Sequence, residues 1–220
     1  MRDKEYGGPL RKRLRFLSLI VFAMTLLATT FPGFSQRMFL RRPFDKGSLI
    51  GSGSFSYSRS GGELYAEDGN RENRLSFNPS VSYFVTSGLA LGLRASISYF
   101  SRGDMSYTSL GAGPEVSYYL RKRGSDPRAP IAKGTLVPFV SAGLVFVGSS
   151  GNVDTKWGPY QYRYNGTTFD LGLGCLFMLS TNYAVFLNAS YEFVRNKQTS
   201  GDVRTGNRFL LSAGLSVFGR

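Results

Sequence analysis

The sequence predicts an all-β protein, an eight-stranded antiparallel up-and-down transmembrane β-barrel preceded by a cleaved signal peptide. Apolar residues recur with a period of two along almost the whole chain after residue 47. The faces opposite to them are rich in serine and glycine, and tight turns alternate with long polar connections. The predicted domains are the signal peptide at 1–35, a short periplasmic N-terminal segment at 36–46 and the barrel at 47–220.

The first 35 residues have the organisation of an export signal. A basic stretch at residues 11–15 (RKRLR) precedes an uncharged apolar stretch at residues 16–31. Gly33 and Ser35 are small residues at the positions that a signal peptidase reads, which predicts cleavage between Ser35 and Gln36. The alternative is a permanent membrane helix, but the apolar stretch is shorter than the roughly 20 residues that a spanning helix needs.

Residues 89–99 show the alternation most clearly, with apolar side chains at the odd positions and small or polar ones at the even positions. Successive side chains of a strand point to opposite faces, so one face suits hydrocarbon and the other a narrow polar interior. The same pattern predicts eight strands, approximately at 48–58, 74–85, 89–100, 107–120, 135–147, 167–179, 183–194 and 207–218.

The serine- and glycine-rich face decides which side points inward. A core of such residues buries too little apolar area to hold a water-soluble sandwich together, so the apolar face must point outward. The same composition argues against a secreted lipocalin-like binding barrel, which needs a large apolar interior. After residue 35 no apolar stretch is long enough to cross a bilayer as a helix, so the chain would cross as strands.

The connections predict the location of the barrel. Residues 86–88 and 180–182 form short turns, whereas the connections at 59–73, 148–166 and 195–206 are long and polar. Short periplasmic turns and long external loops are the arrangement of outer-membrane barrels. The basic connection at 121–134 departs from this pattern, and it is either a solvated excursion or a contact with a periplasmic partner. Aromatic residues near the strand ends, including Tyr83–Phe84 and Tyr118–Tyr119, predict two interfacial girdles.

The stretches at 79–93 (PSVSYFVTSGLALGL), 110–120 (LGAGPEVSYYL) and 139–143 (FVSAG) resemble the small outer-membrane β-barrel family related to the OmpA and OmpX transmembrane domains. The resemblance covers residues 47–220 and rests on loose patterns of glycine, aromatic residues and alternation. It implies architecture more than activity. It also implies recognition by the barrel-insertion machinery through a C-terminal strand ending in an aromatic residue. Here Phe218 is followed by two further residues, and Ser216 stands where an apolar side chain is expected.

Five ionisable residues fall on the predicted interior face: Arg94, Glu115, Asp170, Glu192 and Arg208. Hairpin geometry places Arg94 near Glu115 and Glu192 opposite Arg208, with Asp170 beside Glu192. Three interpretations are open: a structural plug of ion pairs, a gated or leaky pore that opens when pairs exchange, and catalysis by paired carboxylates at Asp170 and Glu192.

Other chemistry is limited by composition. The chain has no histidine, which removes the usual general base and the commonest metal ligand. Cys175 is the single cysteine, on the lipid-facing parity, so an intramolecular disulfide is impossible and an inert apolar role is expected. The formal net charge of +13 is spread mainly between strands without a nucleic-acid-binding motif. We therefore expect no metal, cofactor or nucleic acid.

The sequence predicts a non-enzymatic, monomeric outer-membrane protein of the cell envelope with a structural or surface-binding role. The alternatives are a narrow porin-like channel for ions or small solutes and, less favoured, a lipid-modifying enzyme. Outer-membrane lipids and lipopolysaccharide are the predicted partners, with Arg74 and Arg195, the arginines nearest the membrane, as possible lipopolysaccharide contacts.

Overall fold

A computed structural model describes residues 43–60, 72–102, 105–120, 133–155, 158–198 and 203–219. The predicted signal peptide at 1–35 and most of the basic connection at 121–134 lie outside these residues. In the described part of the chain, no helix has the length and apolar character needed to span a membrane.

Eight antiparallel strands follow one another around a closed barrel, in which β8 returns to pair with β1. This confirms the predicted fold class. The strands are β1 (Leu49–Ser60), β2 (Glu72–Thr86), β3 (Leu89–Arg102), β4 (Met105–Tyr119), β5 (Leu136–Thr155), β6 (Gly158–Met178), β7 (Tyr183–Gln198) and β8 (Val203–Gly219).

The structure places the apolar residues of the alternation on the outer face and the small or polar residues on the inner face, as predicted. Leu93, Leu173 and Leu187 on the outer face are 63–70% exposed to the surroundings of the barrel. Serines on the inner face, such as Ser82 and Ser98, are almost completely buried. A departure from this pattern is Phe77, which lies opposite Phe55, stacks on its ring at 4.7 Å and is itself buried.

The strands at the loop end are longer than predicted. The connection predicted at 148–166 is instead mostly paired strand, because β5 runs to Thr155 and β6 begins at Gly158. The connection predicted at 195–206 is likewise shortened by β7 and β8. Apolar alternation marks the part of a strand that faces lipid, but backbone pairing continues in water without it, so the end of the pattern is not the end of the strand.

The turn between β2 and β3 attaches the N-terminal segment to the barrel. Gly88 has a φ of 84°, which glycine adopts at little cost, and its N–H donates to the carbonyl of Phe44 at 2.9 Å. A Cβ atom at Gly88 would lie 2.9 Å from the carbonyl oxygen of Tyr119. Residues 43–48, predicted to precede or only begin the barrel domain, are thus held against the turn.

A compact apolar cluster, here called the short-turn plug, fills the barrel interior at the short-turn end. Phe84 and Tyr119 belong to it, so their predicted place in an outer aromatic girdle is wrong: both occupy the inward parity of their strands. The interior predicted from the sequence was rich in serine and glycine and did not include this apolar cluster. Its members are Phe44, Ile50, Phe84, Ala90, Tyr119, Val137, Phe139, Leu176, Met178, Ala184 and Phe218, with Phe186 packed against them.

Phe44 lies at the centre of the plug although it precedes the first strand. Its side chain is 0% exposed, and its ring centroid lies 4.9 Å from that of Phe218, 5.2 Å from Tyr119 and 5.7 Å from Phe84. These rings belong to β8, β4 and β2. Phe44, which belongs to no strand, therefore connects three strands through ring contacts in the barrel interior.

We predict that Phe44→Ala destabilises the barrel by about 3–5 kcal/mol, because it removes a fully buried ring and leaves a cavity. The measurement is urea unfolding in lipid bilayers, followed by the different electrophoretic migration of folded and unfolded chain. Phe209→Ala is the control, because that ring is 63% exposed on the outer face. Equal losses for the two variants would contradict the central role of Phe44.

Candidate functional site

The charged layer of the barrel interior lies on the loop side of the short-turn plug. It comprises the five predicted interior residues and Arg74, all on the inward parity of their strands. Serine hydroxyls supply much of the remaining lining of the lumen, whose cavity volume is about 100 Å³. Charges and hydroxyls together make the lumen polar between the plug and the loops.

Arg94 reaches across the lumen from β3 to Asp170 on β6, although these strands are not neighbours. The contact is bidentate: Nη1 donates to Oδ1 at 3.1 Å, and Nη2 donates to Oδ2. The side chain of Asp170 is only 3% exposed. A buried carboxylate held by both nitrogens of a guanidinium fork is a strong, directional ion pair that ties opposite sides of the wall together.

Gly143 on β5 provides the space for this crossing. It lies opposite Asp170 in the β5–β6 register and opposite Glu115 in the β4–β5 register. A Cβ atom there would overlap Nη2 of Arg94 and lie 2.8 Å from Oδ2 of Asp170. The missing side chain at this position is what allows the guanidinium to pass.

Glu115 lies on the interior face as predicted, but its hydrogen-bond partner is a serine. Its carboxylate accepts a hydrogen bond from the Ser82 hydroxyl at 2.8 Å, while the guanidinium of Arg94 is directed to Asp170. Arg94 interacts electrostatically with Glu115, as the predicted nearness implies, but its hydrogen-bonded ion pair is with Asp170. Hairpin geometry relates only adjacent strands, whereas an arginine in so narrow a barrel can reach a carboxylate three strands away.

Glu192 and Arg208 lie where the hairpin register predicted them. They are opposite each other on β7 and β8, and Nε of Arg208 donates to Oε2 of Glu192. Asp170 is opposite Glu192 on the other side of β7. Each of the two carboxylates considered for catalysis is therefore engaged by an arginine, and the arrangement supports electrostatic crosslinking of the wall.

Arg74 corrects the prediction of a lipopolysaccharide contact at this position. Its side chain is buried inside the barrel, where Nε donates to Ser76 and Nη2 donates to Ser98, both at 3.0 Å. The guanidinium also lies 4.6 Å from the ring centroid of Phe100. Arg74 shares the parity of the inward serines of β2, and this parity is the sequence signal that it points into the barrel.

Arg195 is exposed on the outer face of β7, two residues beyond the exposed ring of Phe193. Lys197 is exposed on the same face. We call the exposed polar side chains around them the outer collar, which comprises Asn165, Arg195, Lys197, Thr205 and Asn207. Cys175 also has outward parity, opposite Leu187, within the apolar part of the wall.

We predict that Gly143→Ala destabilises the barrel by about 1–3 kcal/mol, because the added methyl group displaces the Arg94–Asp170 pair. Urea unfolding in lipid bilayers measures the change. Gly148→Ala is the matched control on the same strand, since its Cβ atom would approach only Asn165, at 3.7 Å. A Gly143→Ala protein as stable as the Gly148→Ala protein would argue against the packing of this pair.

An apolar band surrounds the barrel between its two ends. Large exposed side chains contribute to it from every strand, for example Leu91, Leu110, Leu171 and Leu211. A closed barrel with a polar interior and an apolar outer band is the transmembrane barrel of outer membranes, because lipid cannot satisfy open strand edges. The protein is an integral outer-membrane protein.

No protein-family model matches the sequence, and no curated protein matches it significantly. Solved structures do match. Neisserial surface protein A superposes with a TM-score of 0.54 at 14% identity, over 78% of this chain and 99% of the other. The N-terminal barrel domain of Pseudomonas aeruginosa OprF gives 0.49 at 14% identity, over 79% and 98%. The closed eight-stranded topology and the superposition on Neisserial surface protein A show that the chain has the fold of the small outer-membrane β-barrels, as the sequence resemblance implied.

Proposed function

We propose that this protein is a non-conducting, non-enzymatic outer-membrane barrel that contributes to envelope structure and binds partners at its outer surface. The observation that carries the proposal is the double closure of the lumen. The short-turn plug fills one end with buried apolar rings, and the Arg94–Asp170 pair crosses the lumen above it. A solute entering from the loops would have to displace both.

An exchange of ion pairs in the charged layer would not by itself open a channel, so the charged layer does not support the porin-like alternative. If the charged layer opened, the short-turn plug would still close the lumen, because its members Phe44, Phe84 and Met178 are each 0% exposed. A hydrated path needs water to follow the ions, and tightly packed apolar side chains exclude it. The same layer gives little support to catalysis, because Asp170 and Glu192 are both engaged by arginines.

We expect the folded protein in a planar lipid bilayer to show no discrete conductance steps, because the plug excludes hydrated ions. Single-channel recording over a range of voltages is the measurement. Phe44→Ala tests whether the plug blocks conduction, because loss of this ring should raise the leak current even though the charged layer is unchanged. Regular steps from the unaltered protein would favour the porin-like alternative.

We propose lipopolysaccharide as a partner of the outer collar. Arg195 and Lys197 are two cations on one outer face, just beyond the exposed rings of Tyr191 and Phe193. Cations at this level meet the phosphates of lipid headgroups, and each contributes about 1 kcal/mol of attraction near a charged membrane surface. The exposed Thr205 hydroxyl, opposite Arg195 in register, can add a hydrogen bond.

We predict that Arg195→Glu with Lys197→Glu weakens lipopolysaccharide binding about tenfold or more, because two attractive contacts become repulsive. The measurement is binding of labelled lipopolysaccharide to the detergent-solubilised barrel. Lys46→Glu with Lys133→Glu is the charge-matched control, because both lysines are exposed at the short-turn end. An equal loss in the control would mean that net charge, and not the collar, controls binding.

We further propose that the barrel is a monomer inserted through recognition of its C-terminal strand. Phe218, the aromatic residue of that strand, packs into the plug and is 3% exposed. Its ring thus contributes to closure of the folded barrel, while Leu215, at 54% exposure, contributes to the lipid-facing side of β8.

A further inference from the structure

Residues 43–48, here called the N-terminal strap, are anchored to the hairpin of β2 and β3 by backbone hydrogen bonds. The N–H of Gly47 donates to the carbonyl of Phe84 at the end of β2, at 2.9 Å. The N–H of Gly88, in the turn of the hairpin, donates to the carbonyl of Phe44 at the same distance. The backbone of the strap is therefore fixed to the β2–β3 side of the barrel.

The seam between β1 and β8 is the pairing that closes the barrel. Other neighbouring strands follow one another along the chain, whereas β1 and β8 are its first and last strands. Ser52 and Ser216 face each other across the seam, and their hydroxyls share a hydrogen bond of 2.9 Å although the two residues are 164 positions apart. Pairing of such distant segments carries a larger loop-closure cost than pairing within a hairpin. We therefore expect the seam to part first when the barrel opens.

The side chain of Phe44 reaches across this seam. Its ring centroid lies 4.9 Å from that of Phe218 on β8, with the ring planes inclined at 64°. In the strand order, β1 stands between β8 and β2. The ring contact thus ties β8 to the β2–β3 hairpin without using the hydrogen bonds of the seam. Parting β1 from β8 would also separate Phe218 from Phe44, and both rings are buried.

The site that holds the ring of Phe44 is formed by strands from both sides of the seam. Besides Phe218 on β8, it includes Phe84 on β2 and Tyr119 on β4, whose ring centroids lie 5.7 Å and 5.2 Å away. Rings on these three strands converge only when the sheet has curled so far that its last strand meets its first. The ring can therefore enter its complete site only after β8 has reached β1.

We propose that the N-terminal strap is a clasp that closes last and locks the seam between β1 and β8. A contact that forms after the folding transition state slows unfolding and leaves the folding rate unchanged. The clasp therefore gives the closed barrel a higher barrier to opening. This role goes beyond the proposed envelope function and is independent of what the outer surface binds.

The first test compares the folding and unfolding rates of the full chain in lipid vesicles, followed by electrophoretic migration. Phe44→Ala should unfold about tenfold faster or more, while its folding rate stays within about twofold of that of the unaltered protein. Folding slowed by the same factor would show that the ring docks before closure. That result, or an unchanged unfolding rate, would overturn the proposal. Phe44→Leu gives the same comparison with a smaller change if Phe44→Ala does not fold.

The second test asks whether the clasp acts on the seam in particular. In a Cys175→Ser background, Ser52→Cys with Ser216→Cys places a disulfide across the seam. Ser76→Cys with Ser98→Cys is the matched control within the β2–β3 hairpin. Both serine pairs are register partners whose hydroxyl oxygens lie 2.9 Å apart, so the two bridges replace equivalent contacts. Loss of free thiol verifies that each bridge has formed.

Phe44→Ala is then added to both bridged proteins. In the seam-bridged barrel, its acceleration of unfolding should shrink to about twofold or less, because the covalent bond holds β8 whether or not the clasp is closed. Reduction of this bridge should restore the acceleration, and the hairpin-bridged barrel should show it in full. Full acceleration in the oxidised seam-bridged barrel would show that Phe44 only adds packing to the plug. Loss of the acceleration in both barrels would show that its effect is not specific to the seam. Either result would overturn the clasp.

Discussion

The structure depends on the closure of a hydrogen-bonded wall in a medium that offers no hydrogen bonds. A transmembrane strand must find its backbone partners within the protein, so eight strands can cross lipid only if the last returns to the first. This constraint explains why the apolar residues point outward and why the interior receives the small and polar ones. It also makes the pairing of β1 with β8 the critical seam.

The closed wall leaves a narrow interior, and the chain fills it in two physically different ways. At the short-turn end, rings and aliphatic side chains pack as in the core of a soluble protein, and Phe44 enters from the chain before the first strand. Toward the loops, charged groups bridge the wall, and serines complete the lining. The apolar cluster excludes water, while the charged layer is stabilised by pairing, so each half closes the lumen by its own mechanism.

The charged layer depends on a missing side chain, at Gly143, as well as on the charged groups themselves. Arg94 can reach Asp170 because Gly143 has no side chain, and the resulting pair connects β3 with β6 directly across the lumen. Neighbouring strands are already joined by backbone hydrogen bonds. A side-chain contact between distant strands adds resistance to flattening of the barrel that backbone pairing alone does not supply.

The sequence by itself determined the strand number, the inward and outward parity and the contact of Glu192 with Arg208, because these follow from alternation and from pairing within one hairpin. Only the tertiary structure decided that Arg94 pairs with Asp170, that Arg74 points inward and that Phe44 completes the plug. Those contacts depend on the diameter of the closed barrel, which brings non-neighbouring residues together. The pattern along a strand is local, whereas the distance across a lumen is set by all eight strands at once.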